Sequence, residues 1–105
     1  MNKYENLKEA LATKGEGTMK AFGNSMLPIL KSGSTLTFKK QDDYGIGDIV
    51  FSKVRGRYID AHKIVKKEPS KGFLIANNKG WENGWTKTIY GKAVQAEFNG
   101  EIKAL

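Results

Sequence analysis

Tyr4, Leu7 and Leu11, with Ala10 beside them, fall on one helical stripe at i, i+3 and i+7, while Lys3, Glu5, Lys8 and Glu9 lie on other faces. The spacing predicts a short amphipathic helix over about residues 3–13, ended by Lys14-Gly15-Glu16-Gly17. Three turns are marginal in isolation, so this helix has to dock on the rest of the protein or on a partner. After Gly17 the pattern changes to short β-rich runs divided by turn residues at intervals of roughly ten. Strands are predicted near residues 18–23, 35–39, 48–54, 57–67, 73–77 and 88–98. Between them Lys31-Ser32-Gly33-Ser34, Tyr44-Gly45-Ile46-Gly47-Asp48, Pro69-Ser70-Lys71-Gly72 and Asn77-Asn78-Lys79-Gly80 carry the residues that tight turns demand. Arg55-Gly56 reads as a hairpin connection. With no repeat, low-complexity stretch or linker, the reading is a helix and glycine turn over 1–17 and a single β-rich domain over 18–105.

Composition narrows the function classes. The chain has 105 residues, 39% apolar and 28% charged, which suits one globular core. No apolar run reaches the ~18 residues of a membrane span, and the first residues lack a signal-peptide core. The expectation is a soluble protein, cytoplasmic by default. Without cysteine there is no disulfide framework, thiolate nucleophile or Cys-based metal site, and a single histidine excludes a multi-His site, so no metal and no cofactor is expected. The net charge of +7 favours anionic partners. Its lysines and arginines are scattered, as Lys39-Lys40, Lys53, Arg55, Arg57, Lys63 and Lys66-Lys67, which reads as a solvated surface with at most weak nucleic-acid binding.

Candidate chemistry begins at Gly23-Asn24-Ser25-Met26-Leu27-Pro28. There a serine sits at a turn just after a strand, a place where backbone N–H groups can receive an oxyanion. Gly-x-Ser at a turn is common, and the ordered set that follows carries the weight: Gly33-Ser34, Gly47-Asp48-Ile49-Val50, His62-Lys63-Ile64-Val65 and Ile89-Tyr90-Gly91-Lys92-Ala93-Val94. This order and spacing, from about Lys20 to Val94, resembles the signal peptidase and LexA-type repressor superfamily of serine peptidases.

The resemblance implies a strongly bent sheet or partial barrel, and a serine endopeptidase that acts on a peptide or protein substrate. Ser25 matches the superfamily's nucleophile. The base position, a Lys-Arg pair in bacterial signal peptidases and LexA-type proteins and a His-Arg pair in the endoplasmic reticulum and archaeal type, reads His62-Lys63 here. A Ser-His pair is implied, Ser25 attacking and His62 taking its proton. Chemistry favours the same choice, because imidazole's ordinary pKa of ≈ 6.5 suits a base at neutral pH while a lysine at ≈ 10.4 needs strong depression. Strand alternation puts Tyr58, Asp60, His62 and Ile64 on one face and Ile59, Ala61, Lys63 and Val65 on the other, making Asp60 a same-face supporter of His62.

Two positions depart from the superfamily pattern. The acid of the endoplasmic reticulum type corresponds here to Asn77, in Ala76-Asn77-Asn78-Lys79-Gly80. Asn77 is able to accept from the imidazole N–H but brings no charge to imidazolium; Glu82 and Asp60 are the alternatives. Two places before the nucleophile, where many signal peptidases have a serine, stands Gly23. That leaves the Gly23-Asn24-Ser25 turn, chiefly the Ser25 N–H, as the oxyanion site, at a cost of about 3 kcal/mol for the missing donor. An extended substrate is expected to add as a strand beside Lys20, Ala21, Phe22 and Gly23, with Met26 and Leu27 among the apolar residues receiving a small side chain. Trp81 and Trp85 read equally as core or as an exposed grip, Tyr90 as core.

No membrane anchor, no helix-turn-helix and no self-cleavage linker is visible. The competing reading is therefore a non-catalytic relative, a small regulatory module that binds protein or nucleic acid through its basic surface.

Overall fold

The computed structural model describes residues 2–105. The apolar stripe of the first segment forms helix α1, Lys3–Lys14, whose Leu7 and Leu11 are buried. Asn2 caps it, its side chain accepting the Glu5 N–H at 2.9 Å, and Gly15 ends it in the left-handed region at φ 78°.

Eight antiparallel strands follow: β1 Glu16–Ala21, β2 Ser34–Lys39, β3 Ile49–Val54, β4 Arg57–Glu68, β5 Gly72–Ala76, β6 Glu82–Thr86, β7 Ile89–Phe98 and β8 Glu101–Ala104. They form one sheet in the order β1-β2-β7-β3-β4-β5-β6, with β8 added to β7. The ten residues of β7 serve three partners. Its first part pairs with β3, its middle with β2 and its end with β8, so the sheet turns about this strand and curls into a half-barrel. Each of the six strands predicted from the pattern is present, with ends moved by one or two residues.

Two strands were not predicted. Glu82-Asn83-Gly84 reads locally as a turn, yet β6 pairs with β5, and Gly84 at φ 133° lets the chain pass so close to β3 that a Cβ there would lie 3.1 Å from Val54 Cγ1. β8 hangs on Asn99-Gly100, at φ 51° and 81°, the left-handed pair that a two-residue hairpin requires. Arg55-Gly56, at φ 52° and 80°, is the same kind of turn and was read as such.

Two cores fill the curl. Leu7, Leu11, Leu36, Phe38, Phe51 and Ala93 belong to the first, beneath α1; Val50, Val54, Ile64 and Ile75 belong to the second. Phe51 is fully buried, with ring centroids 5.0 Å from Tyr90, 5.7 Å from Tyr58 and 6.1 Å from Tyr4. Tyr90 thus packs against the core, as expected.

β4 corrects the simple alternation. Val50 pairs with His62 but Ser52 with Ile59, so Asp60 and Ala61 together face Phe51 across a β-bulge. Tyr58 and Ala61 consequently enter the first core while Ile59 and Ile64 enter the second. Residues before and after the bulge cannot share a face by parity alone.

Tyr58 ties this strand to the helix. Its hydroxyl donates to Glu5 Oε1 at 2.6 Å, and that bond, with burial adding, pushes the phenol from 10.0 up to about 12. Burial likewise raises Tyr4 and Tyr90. A phenol with a raised folded-state pKa contributes stability that is complete below its ordinary value and lost as pH climbs through the folded one. The urea midpoint is therefore expected to fall between about pH 10 and 12, and to fall less steeply in Tyr58→Phe; equal slopes would contradict the tie. Among the described residues no helix is long and apolar enough to cross a membrane.

Candidate active site

β1 ends at Ala21, and the chain makes an irregular excursion before β2 begins at Ser34. Its base is closed by Gly33 N–H donating to Ala21 O at 2.8 Å and Gly23 N–H donating to Ser32 Oγ at 2.9 Å. Gly23, at φ 109°, occupies backbone space that a side chain would strain. Inside the excursion Leu27 N–H donates to Asn24 O and Leu30 N–H to Met26 O, while Met26 and Leu30 are buried in the first core. Two apolar anchors and a tight turn thus present Ser25 between them.

The bulge in β4 lies immediately before His62 and aims its ring at that turn. Ser25 Oγ stands 3.0 Å from His62 Nε2, across 37 residues of sequence. The other ring nitrogen, Nδ1, lies 2.6 Å from Asn83 Oδ1 on β6. A carbonyl oxygen only accepts, so Nδ1 carries the proton, and Nε2 is left as an acceptor for the Ser25 hydroxyl. All three side chains are partly exposed, so the hydroxyl is reachable from solvent. The N–H groups of Asn24, Ser25 and Met26 have no internal acceptor among the described residues.

Several expected supporters stand elsewhere. Asn77 does not reach the imidazole; its Oδ1 accepts the N–H groups of Lys79 and Trp81, both at 2.9 Å, and shapes the β5–β6 turn. Asp60 makes no hydrogen bond to His62 among the described residues, because the bulge breaks the parity that would have aligned them. It borders the hollow beside Ser25 and adds its charge, after burial, to the rise of Tyr4. Gly23's N–H is taken by Ser32, leaving only Asn24 and Ser25 of the expected turn with N–H groups to offer.

The hollow itself encloses about 20 Å³, with Ala21, Phe22, Met26, Leu30 and Ala61 on its walls. Lys20 O accepts from Lys3 Nζ at 3.2 Å, and Leu27 is 38% exposed beyond the turn. Trp81 is 76% exposed and Trp85 half-buried, with Lys71 above its ring. Among the described residues no three His, Cys, Asp or Glu side chains gather as a metal site would need.

Asn83 is the residue that sequence reasoning missed. Its strand was hidden by the Asn83-Gly84 pair, and only Trp85-Thr86 behind it signalled β structure. Because Asn83 Oδ1 already keeps the proton of His62 on Nδ1, Asn83→Asp should add only the charge effect. We expect the pH midpoint of any Ser25 reactivity to move upward, with a plateau about tenfold higher, since a carboxylate favours imidazolium. A pH profile of the variant checks this, and an unmoved midpoint would remove Asn83 from contact with His62.

The chain has no match among curated proteins. The family model for Peptidase S24-like proteins, however, matches residues 2–102, from the helix into the start of β8, and so takes in both the Ser25 turn and His62. On this match the chain belongs to the Peptidase S24-like family, within the LexA and signal peptidase superfamily.

Proposed function

We propose that this protein is a serine endopeptidase working through a Ser25-His62 dyad oriented by Asn83. The observation that carries the reading is the continuous line from Ser25 Oγ through the imidazole to Asn83 Oδ1, at 3.0 and 2.6 Å, in a chain of a peptidase family.

In the first half-reaction Ser25 Oγ attacks a peptide carbonyl as its proton passes to His62 Nε2. The N–H of Ser25, with those beside it, receives the developing oxyanion. Protonated Nε2 then gives that proton to the leaving amine, and an acyl-serine ester remains. A water molecule, deprotonated by the same nitrogen, hydrolyses the ester and restores the hydroxyl. Asn83 keeps Nδ1 as donor throughout but leaves imidazolium without a counter-charge, so turnover is expected to be slow for the class.

The exposed edge of β1 suits an extended substrate, since that strand has a partner on one side only. Backbone bonds along Lys20–Phe22, with Lys3 Nζ displaced from Lys20 O, would hold the peptide in register. A hollow of about 20 Å³, walled by Ala21, Met26 and Ala61, admits little more than a methyl group next to the scissile bond.

The test is mass spectrometry of an unstructured peptide library incubated with the wild type and with Ser25→Ala, between about pH 5 and 9. Cuts made by the wild type alone, after small residues and increasing as imidazole loses its proton, are the expected result. Identical digests from both proteins would overturn the reading in favour of the non-catalytic binding module.

A further inference from the structure

The backbone that carries Ser25 is held from outside its own turn by one residue. Asn78, in the turn after β5, donates its N–H to Ser25 O at 3.0 Å and its Nδ2 to Leu27 O at 2.9 Å. Its remaining polar atom, Oδ1, accepts from Lys63 Nζ at 2.9 Å. Apart from Leu30 N–H, which donates to Met26 O within the same excursion, no other group outside residues 24–28 hydrogen-bonds their backbone among the described residues. Lys63 is the neighbour of His62 on β4, and its Cα partner on β5 is Ala76, two residues before Asn78.

We propose that Asn78, braced by Lys63, is a positioning residue that holds the Ser25 turn in register with His62. This rests on the reading of Ser25 as nucleophile and His62 as base. Fixing the Ser25 carbonyl sets the peptide plane that follows its Cα, and with it the Cα–Cβ direction from which Oγ reaches His62. The second bond, to Leu27 O, prevents the turn from pivoting about the first. The ammonium bond to Oδ1 is charge-assisted and keeps the amide from flipping its donor away from Leu27. Adjacent residues of one rigid strand therefore govern both partners of the dyad, His62 directly and Ser25 through Lys63 and Asn78. An asparagine is suited to the place because it donates and accepts at once; aspartate keeps the acceptor and loses the donor.

The experiment follows the labelling of Ser25 by an alkyl fluorophosphonate, in which Oγ–P forms, P–F breaks, and the serine proton leaves to His62 as fluoride departs. Second-order rates are measured against pH on the full chain for the wild type, Ser25→Ala, Asn78→Ala, Asn78→Asp, Lys63→Met and Lys63→Arg, with a thermal melt of each. Asn78→Ala keeps the backbone bond to Ser25 O but loses the side-chain bond to Leu27 O and the link to Lys63, so the turn is free to pivot; it is expected to label about tenfold more slowly at an unchanged pH midpoint, because a misplaced nucleophile loses rate while His62 keeps its contacts. Asn78→Asp, which keeps the acceptor for Lys63 but sets a carboxylate oxygen against Leu27 O, should be slowed at least as much, and provides the measurement if the alanine variant does not fold. Lys63→Met should lose a few-fold, and Lys63→Arg should recover most of that, as it restores the donor. Labelling of Asn78→Ala at the wild-type rate, or a shifted pH midpoint, would overturn the positioning role while leaving Ser25 as nucleophile. Lys63→Arg no better than Lys63→Met would overturn the bracing. A wild type no more reactive than Ser25→Ala would overturn the reading beneath it, and this role with it.

Discussion

Ser25→Ala and His62→Ala are each expected to lower kcat/KM for peptide cleavage by about 10³-fold, and the double variant to be no slower than either single one. The size follows from what the site lacks. In a serine protease triad with a charged third member, removing nucleophile or base alone costs around 10⁶ in kcat, and removing the acid alone about 3 × 10⁴. A dyad backed by a neutral amide starts lower and has less to lose, although Asn83 preserves the tautomer and so retains more than an empty position would. The residual activity of either variant comes from the free N–H groups of the turn. Non-additivity is the informative readout. In the proposed mechanism Oγ and Nε2, 3.0 Å apart, act on one proton, so deleting the second partner after the first should change nothing. Losses that multiply in the double variant would mean that the two side chains do not work as a pair.

Phe51→Ala should be the most damaging change to the fold, at about 4 kcal/mol. The ring is fully buried at the centre of the first core and meets Tyr4, Phe38, Tyr58 and Tyr90. Truncation removes its transfer energy and leaves a cavity that four other rings, fixed on α1, β2, β4 and β7, cannot fill by moving singly. For a domain near 100 residues this corresponds to a melting temperature lower by about 15–30 °C. A calorimetric or circular dichroism melt decides it, and a loss below about 1 kcal/mol would mean that the core repacks.

The outcome for individual residues follows the range of the physics involved. Leu7 and Leu11 declared a helix because periodicity of 3.6 is a local property, and α1 buries both of them. Arg55-Gly56 declared a hairpin because two consecutive left-handed residues fit little else. The same logic applied to Asn99-Gly100 would have revealed β8, a strand so exposed that hydrophobic pattern gave no sign of it. β6 could not be read in this way, since Gly84 is there to let β6 and β3 approach, and a close approach between distant segments leaves no local periodicity.

The site divides along the same line. Ser25 and His62 were singled out from motif order and from the acid–base chemistry of their side chains, both of which are written in the residues themselves. Their third partner was not. Asn77, Asp60 and Glu82 were nearer to hand in the pattern, but Asn77 turned out to cap its own turn and a bulge moved Asp60 out of line. The sequence by itself determined the helix, six strands, the absence of thiol chemistry and the identity of the two candidate reactive groups, because propensity, periodicity and functional-group chemistry act within a few residues. Only the tertiary structure decided that Asn83 faces the imidazole and that Asn78 holds the serine turn. Those contacts span 21 and 53 residues, and they depend on how far a sheet curls and where its register slips. Both are properties of the whole strand array rather than of any segment within it.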